Sequence, residues 1–131
     1  MKRSEIRENV FKLVFCGEFH SSEELPGQVE SYFEELPEIS GEDHAYIAGK
    51  FEKIKQKISE IDGKINSVTK GWQTDRMGKA ELAILRLAVY EMLYDDDVPV
   101  KVAINEAVEL AKKYGGEESP SFVNGILARL A

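Results

Sequence analysis

Apolar residues recur at helical spacing along almost all of this 131-residue chain, and that periodicity limits the fold more than any other feature. The most decisive segment runs from Lys79 to Leu93, where apolar side chains cover nearly the whole circumference of a helix. They are Leu82, Ile84, Leu85, Leu87, Val89 and Met92. A helix that is apolar on all sides is normally buried. The sequence therefore predicts an all-α protein in which this helix is central.

Prolines, glycines and capping residues divide the rest of the apolar pattern into further helices. Ser40 is a predicted cap, Pro37 and Gly63 are predicted helix ends, and Ser119 with Pro120 is predicted to start the last helix. The predicted helical segments are 6–17, 25–36, 40–63, 65–72, 79–93, 99–113 and 119–130. This order predicts a helical bundle of two packed three-helix halves, about 1–61 and 62–131, forming one domain.

Charge is distributed unevenly along the chain. There are 17 basic and 24 acidic residues, a formal net charge of −7, so the protein does not coat nucleic acid indiscriminately. Residues 21–44 contain only acidic charges, whereas residues 45–80 carry a basic excess. The first twenty residues hold four basic side chains, Lys2, Arg3, Arg7 and Lys12. An acidic total with local basic segments indicates that any nucleic-acid site is confined.

The first predicted helix carries a basic and aromatic stripe. At about 100° per residue, Arg3, Arg7, Phe11 and Phe15 lie along one ridge of that helix. Basic groups neutralise phosphates and aromatic faces stack on unpaired bases, so the stripe suits single-stranded RNA. The alternative is that Phe11 and Phe15 only widen the core face of the helix, with the arginines in solvent. The residues alone leave both interpretations open.

The sequence offers little for catalysis, metal binding or membrane insertion. His20 and His44 are isolated from each other, and Cys16 has hydrophobic neighbours, so we expect a structural thiol. Asp95, Asp96 and Asp97 lack the spacing of a calcium loop. There is no signal-peptide core and no long apolar run. We therefore expect a cytoplasmic protein that is not an enzyme and has no metal, cofactor, membrane or small-molecule substrate.

A series of ordered motifs in the second half resembles the NusB family of bacterial transcription antitermination factors. The motifs are Trp72 with Arg76, the run Ile84 to Glu91, Val98 with Pro99, the run Val102 to Lys112, and the run Phe122 to Leu127. The resemblance covers essentially the whole chain, because Arg7, Glu8 and Phe15 also stand where that family has its N-terminal Arg–Glu pair and aromatic residue.

The resemblance implies a fold of two three-helix subdomains and a function without catalysis. NusB-like proteins bind the boxA element of ribosomal RNA leaders together with NusE, a small-subunit ribosomal protein. The complex joins RNA polymerase and suppresses premature termination in ribosomal RNA operons. A related domain also precedes ribosomal RNA methyltransferases, and this chain is too short to include one, so we expect the stand-alone factor.

The resemblance also suggests which residues act. Phe122 and Asn124 open the last helix and are expected at the RNA surface, with Lys2, Arg3, Arg7, Lys12 and Phe15 of the first helix. By position, Asp75 and Glu81 are expected to face the basic protein NusE, although both could be ordinary exposed carboxylates. Trp72 is expected to be a core anchor between the halves. The N-terminal basic cluster is sparser than in many relatives, which predicts low RNA affinity without NusE.

A helical protein-interaction module that does not bind RNA is the alternative function. Convergence of Arg3, Arg7, Phe15 and Phe122 on one exposed patch would favour RNA binding, and full burial of both Phe11 and Phe15 would argue against stacking.

Overall fold

The helical periodicity of the sequence is realised as seven α-helices and one 3-10 turn in a computed structural model that describes residues 1–131. In chain order these are α1 (Arg3–Gly17), α2 (Leu25–Glu34), α3 (Gly41–Gln56), α4 (Ile58–Val68), the 3-10 turn (Thr74–Arg76), α5 (Lys79–Tyr94), α6 (Val100–Tyr114) and α7 (Ser119–Leu130). The all-α prediction is confirmed. None of these helices combines the length and apolarity needed to cross a membrane.

The chain forms two compact units, Met1–Lys55 and Gln56–Ala131. In the first unit, the Tyr32 hydroxyl of α2 donates a hydrogen bond to Asn9 of α1. The ring of Phe33 stacks on His44 of α3 with 3.9 Å between ring centroids. The second unit is built around α5, which contacts α4, α6 and α7. Each unit is therefore stabilised by contacts between its own helices.

The third predicted helix is in fact two helices. The pattern predicted one helix from Ser40 to Gly63, but the backbone turns at Lys57, with φ −110° and ψ 10°, between α3 and α4. Gly63 lies inside α4, and a side chain at that position would meet open space. A lysine gives no signal for a helix break, and apolar residues on both sides keep a helical spacing, so the sequence could not reveal this turn. Ser40 does cap α3, since its Oγ accepts the Asp43 N–H at 3.1 Å.

The helix that is apolar all round is buried, as predicted. Every residue of α5 from Leu82 to Glu91 is buried. Such burial is worth about 1.5–3 kcal/mol for each large apolar side chain. Arg86 of α5 makes a two-pronged ion pair with Asp62 of α4, with N–O distances of 2.9 and 2.8 Å. This ion pair fixes the register of α4 against α5.

Candidate nucleic-acid interface

The basic residues of the first unit lie at the start of α1 and along its exposed side. Lys2 is the residue before the helix and is exposed, as is Arg3, while Arg7 is half-buried. Lys12 is exposed and lies 3.7 Å from Glu8 in an ion pair one helical turn away. That ion pair offsets part of the Lys12 charge, whereas Lys2 and Arg3 are exposed at the N-terminal end of α1, where the helix dipole also favours anions.

The aromatic residues of α1 change from buried to exposed along the ridge. Phe11 is 2% exposed and belongs to the core. Phe15 is half-buried and contacts the Phe11 ring on one side, with 5.9 Å between centroids, and the Phe19 ring on the other, with 5.0 Å. Phe19 is 54% exposed. Each interpretation of the stripe therefore applies to one residue: Phe11 is a core residue, whereas part of Phe15 remains accessible.

Phe19 was missed by the sequence analysis although it continues the same spacing. It follows Phe15 by four residues, but the helix was expected to end near Gly17 and the ridge was not extended beyond it. The chain continues as a helical turn, because Glu18 keeps α-helical backbone angles and the Phe19 N–H donates to the Cys16 carbonyl at 3.1 Å. Extending the four-residue step beyond the glycine would have identified Phe19.

The second unit has an aromatic groove that the sequence did not predict. We call it the Trp72 groove; its volume is about 740 Å³, and its walls include Thr69, Lys70, Trp72, Phe122, Ile126 and Arg129. Trp72 was expected to be a core anchor, and this was wrong: it is 53% exposed and lies outside any helix. Its ring meets the half-buried ring of Phe122 edge to face, with centroids 6.2 Å apart.

A tight turn presents Trp72 to this groove. The Trp72 N–H donates to the Thr69 carbonyl at 2.8 Å, which closes a turn over residues 69–72. Gly71, the third residue of the turn, has φ +76°, the only positive φ in the chain. A positive φ at that position is typical of a type II turn and favours glycine. The apolar spacing of Trp72 with Ile65 and Val68 misled the sequence analysis because this turn ends the helix.

Two further groups define the wall of the Trp72 groove. Arg129, in the last turn of α7, donates from one guanidinium nitrogen to the Val68 carbonyl at the end of α4, at 3.0 Å. The hydroxyl of Thr69 is buried and has no hydrogen-bond partner within the protein. An unsatisfied buried hydroxyl costs about 1–3 kcal/mol. Thr69 therefore carries a buried hydroxyl whose hydrogen-bonding capacity the fold does not use.

Phe122 and Asn124 lie on different sides of α7. Phe122 faces the Trp72 groove, whereas Asn124 is exposed in a separate shallow groove beside α6. Glu106 and Glu109 line that second groove together with Lys112. Residues two apart on a helix differ by about 200° in direction, which explains the separation. The structure does not bring these two predicted RNA contacts together.

The two carboxylates proposed for a protein partner differ in their surroundings. Asp75 is exposed in the 3-10 turn. Glu81 is half-buried at the start of α5, and its carboxylate accepts a hydrogen bond from the Ser119 hydroxyl of α7 at 2.5 Å. Ser119 Oγ also accepts the Gly116 N–H at 2.9 Å. Asp75 is thus available to a partner, while Glu81 already joins α5 to α7.

Three further titratable groups have pKa values that are shifted by burial. Burial raises the pKa of the Asp62 carboxyl to about 6 and lowers the pKa of its partner Arg86. Burial also raises the pKa of the half-buried Cys16 thiol. No group of three or more His, Cys, Asp or Glu side chains is arranged to hold a metal ion.

Comparison with known proteins places the whole chain in one group of relatives. The family model described as NusB family matches residues 4–131. The chain is 53% identical to the transcription antitermination protein NusB of Lachnoclostridium phytofermentans, over 99% of this chain and 98% of the relative. It is also 53% identical to that of Agathobacter rectalis, over 100% of both chains.

Solved structures with the same fold give a matching result. T. maritima NusB superposes with a TM-score of 0.88 at 37% identity, covering 100% of this chain and 91% of that one. A structure of the antitermination factors NusB and NusE in complex with double-stranded RNA superposes with a TM-score of 0.82 at 25% identity. That match covers 98% of this chain and 94% of the other.

Proposed function

This chain belongs to the NusB family of transcription antitermination proteins, and we propose that it binds boxA RNA from ribosomal RNA operon leaders together with the ribosomal protein NusE. The complex then acts on elongating RNA polymerase and suppresses premature termination. The observation that carries this proposal is the shared fold, over 98% of this chain, with a NusB that was solved together with NusE and RNA. The family match over residues 4–131 supports one functional domain that includes both compact units.

The proposed RNA contacts come from both units. They are Lys2, Arg3, Arg7, Lys12 and Phe15 in the first unit, and Phe122 and Asn124 in the second. Exposure of Lys2 and Arg3 and the accessible edge of Phe15 support the first group. The aromatic groove beside Phe122 supports the second. Asn124 is the weakest member, because Glu106 and Glu109 line the groove it faces and would repel phosphate.

The proposed NusE contacts are Asp75 and Glu81. Both carboxylates belong to the second unit, and the exposed position of Asp75 suits attraction of a basic ribosomal protein. We further propose that the protein works in the cytoplasm without catalysis or a cofactor. Its most perturbed carboxyl, Asp62, is held in an ion pair with Arg86 between two helices, which supports a structural role for that group.

Fluorescence anisotropy of labelled boxA RNA, titrated with this protein alone, with NusE alone and with both, tests the proposal. We expect weak binding by this protein alone, because the chain has a net charge of −7 and only four basic side chains are among its proposed RNA contacts, and much tighter binding when NusE is present. A scrambled RNA of the same composition is the matched control and should bind more weakly. Equal affinity for the two RNAs in the presence of NusE would refute boxA recognition.

The same titration separates the two candidate functions. If NusE forms a complex with this protein by size-exclusion chromatography but neither RNA binds the complex, the chain is a protein-interaction module. If NusE does not bind, the partner assignment is wrong whatever the RNA result.

A further inference from the structure

We propose that the Trp72 groove is a stacking subsite for one unpaired base of single-stranded RNA, with Lys70 and Arg129 contacting the phosphates that flank it. The inference rests on the proposed RNA-binding function and adds a subsite in the second unit. Its central residue was expected in the core and is instead on the surface. Phe122 is the member of the groove already proposed at the RNA surface, so the subsite extends that surface along α7 to Trp72 and Arg129.

The aromatic geometry suits a base. The Trp72 indole is 53% exposed and meets the Phe122 ring edge to face, at 64° and 6.2 Å between centroids. This arrangement leaves a face of one ring available while the edge of the other supports it. Every base has a π-face, so an exposed aromatic ring of this kind binds single-stranded nucleic acid with little dependence on sequence.

The charges around the groove suit an anionic chain. Lys70 and Arg129 are its two charged lining residues, and both are cations. No Asp or Glu lines it, although acidic residues outnumber basic ones by 24 to 17 in the chain. Arg129 donates one N–H group to the Val68 carbonyl, and this hydrogen bond holds its guanidinium at the groove. A guanidinium has five N–H donors, so others can bind a phosphate.

The groove is also largely preformed. The turn closed by the Trp72 N–H and the Thr69 carbonyl fixes the backbone on one side, and α7 forms the other side. Binding to a preformed surface costs less ordering entropy than binding to a mobile loop.

The same charges argue against a basic protein as the occupant. A cationic partner such as a ribosomal protein would be repelled by Lys70 and Arg129, whereas the nearby carboxylate Asp75 would attract it. A protein segment in the groove is therefore the competing outcome that the experiment must distinguish.

Trp72 is the only tryptophan of the chain, so its fluorescence reports on this groove alone. We expect a short adenine-rich single-stranded RNA at low salt to quench the emission through stacking, and the same RNA annealed to its complement to quench it much less. This measurement requires neither boxA sequence nor NusE, so its result is independent of whether boxA is recognised. Absence of quenching under conditions where anisotropy shows the single strand bound would overturn the subsite.

Substitutions test the two parts of the subsite by anisotropy of labelled single-stranded RNA. Trp72→Leu should weaken binding roughly 5- to 150-fold, the usual range for losing one base–aromatic stack, while Trp72→Phe should retain most of the affinity. Tyr46→Leu is the matched control, since Tyr46 is a similarly exposed aromatic residue of the first unit. Lys70→Gln should reduce the log–log salt slope by about 0.7, and Lys53→Gln should leave it unchanged.

Three results from the substitutions would also overturn the proposal. The first is a folded Trp72→Leu protein, checked by circular dichroism, that binds single-stranded RNA like the parent. The second is a Trp72→Leu protein that loses NusE binding but keeps RNA binding, which would make the groove a protein-docking surface. The third is equal loss from Trp72→Leu and Tyr46→Leu, which would mean a nonspecific effect. Loss of boxA preference with Trp72 quenching intact would instead count against the proposed function alone.

Discussion

At the scale of single residues, burial separates side chains that share one spacing. Phe11, Phe15 and Phe19 are four residues apart, yet the first is in the core, the second is half-buried and the third is exposed. The same ridge therefore carries a packing role at one end and an accessible ring at the other. Exposure, and not residue type, decides which of these rings can contact RNA.

Phe11→Ala and Phe15→Ala should differ in stability. Phe11→Ala leaves a cavity in the core and should lower the free energy of unfolding by about 3–5 kcal/mol. Phe15→Ala removes a ring that is only half-buried, so we expect roughly 1–2 kcal/mol. Urea denaturation followed by circular dichroism measures both. Equal losses would mean that Phe15 is as much a core residue as Phe11.

The Cys16 thiol should be slow to react in the folded protein. Burial raises its pKa, so the reactive thiolate is a smaller fraction at any pH below that pKa. Iodoacetamide alkylation at pH about 8, followed by mass spectrometry, should be slower for the folded protein than for the same protein in urea. The folded protein's rate should continue to rise at pH values where the unfolded protein's rate has levelled off. Equal rates would contradict the raised pKa.

At the scale of helices, the junction between α6 and α7 depends on close packing around Ser119. Its hydroxyl accepts the Gly116 N–H and donates to Glu81 of α5, so one side chain connects the loop to two helices. Gly115 lies directly against it: a Cβ at Gly115 would be 2.4 Å from the Ser119 Cβ and 2.9 Å from the Ala111 carbonyl oxygen. The start of α7, which carries Phe122, depends on this junction.

Gly115→Ala should destabilise the protein and Gly116→Ala should not. The first substitution places a methyl group where there is no room and should cost about 1–3 kcal/mol, because backbone or Ser119 must move. The second meets open space and should change stability by less than about 0.5 kcal/mol. Thermal unfolding of both variants measures the difference. Equal stabilities would show that the junction adapts without strain.

At the scale of the whole molecule, an acidic protein can attract a nucleic acid only at small surfaces where basic side chains are concentrated. The net charge of −7 opposes general attraction to RNA, so the RNA binding that we propose depends on local groups such as Lys2 and Arg3 and on NusE. The same negative charge favours a basic partner over long range. Acidity of the whole chain and RNA binding at one surface are therefore compatible.

Asp75→Lys should slow association with NusE. Asp75 is exposed and makes no structural contact comparable to the Glu81–Ser119 hydrogen bond, so charge reversal there changes attraction with little effect on folding. We expect the association rate to fall roughly threefold to tenfold at low salt and the difference to shrink as salt increases. Asp96→Lys, an equal change in net charge at another exposed carboxylate, is the control. Surface plasmon resonance gives the rates, and identical effects of the two variants would remove Asp75 from the NusE contact.

Helical spacing and local motifs were enough to predict the all-α class, the buried α5 and the family. This is because an α-helix has a fixed period and a helix apolar on all sides can only be stable when covered. The ordered motifs from Trp72 to Leu127 include the segments that carry Phe122 and Asp75, whereas Glu81 was proposed only from its position between two of them.

Only the tertiary structure decided which of those residues are exposed and which are held in contacts within the protein. The hydrogen bond that engages Glu81 comes from Ser119, 38 residues further along the chain, and the exposure of Trp72 depends on which helices pack around it. The spacing of apolar residues shows which side of a helix is apolar. It does not show which other helix packs against that side, or which apolar residues that packing leaves exposed. An aromatic residue at the edge of the packed core, such as Trp72, has the same sequence spacing as an aromatic residue inside it. Only the packing distinguishes a core residue from a residue of a binding surface.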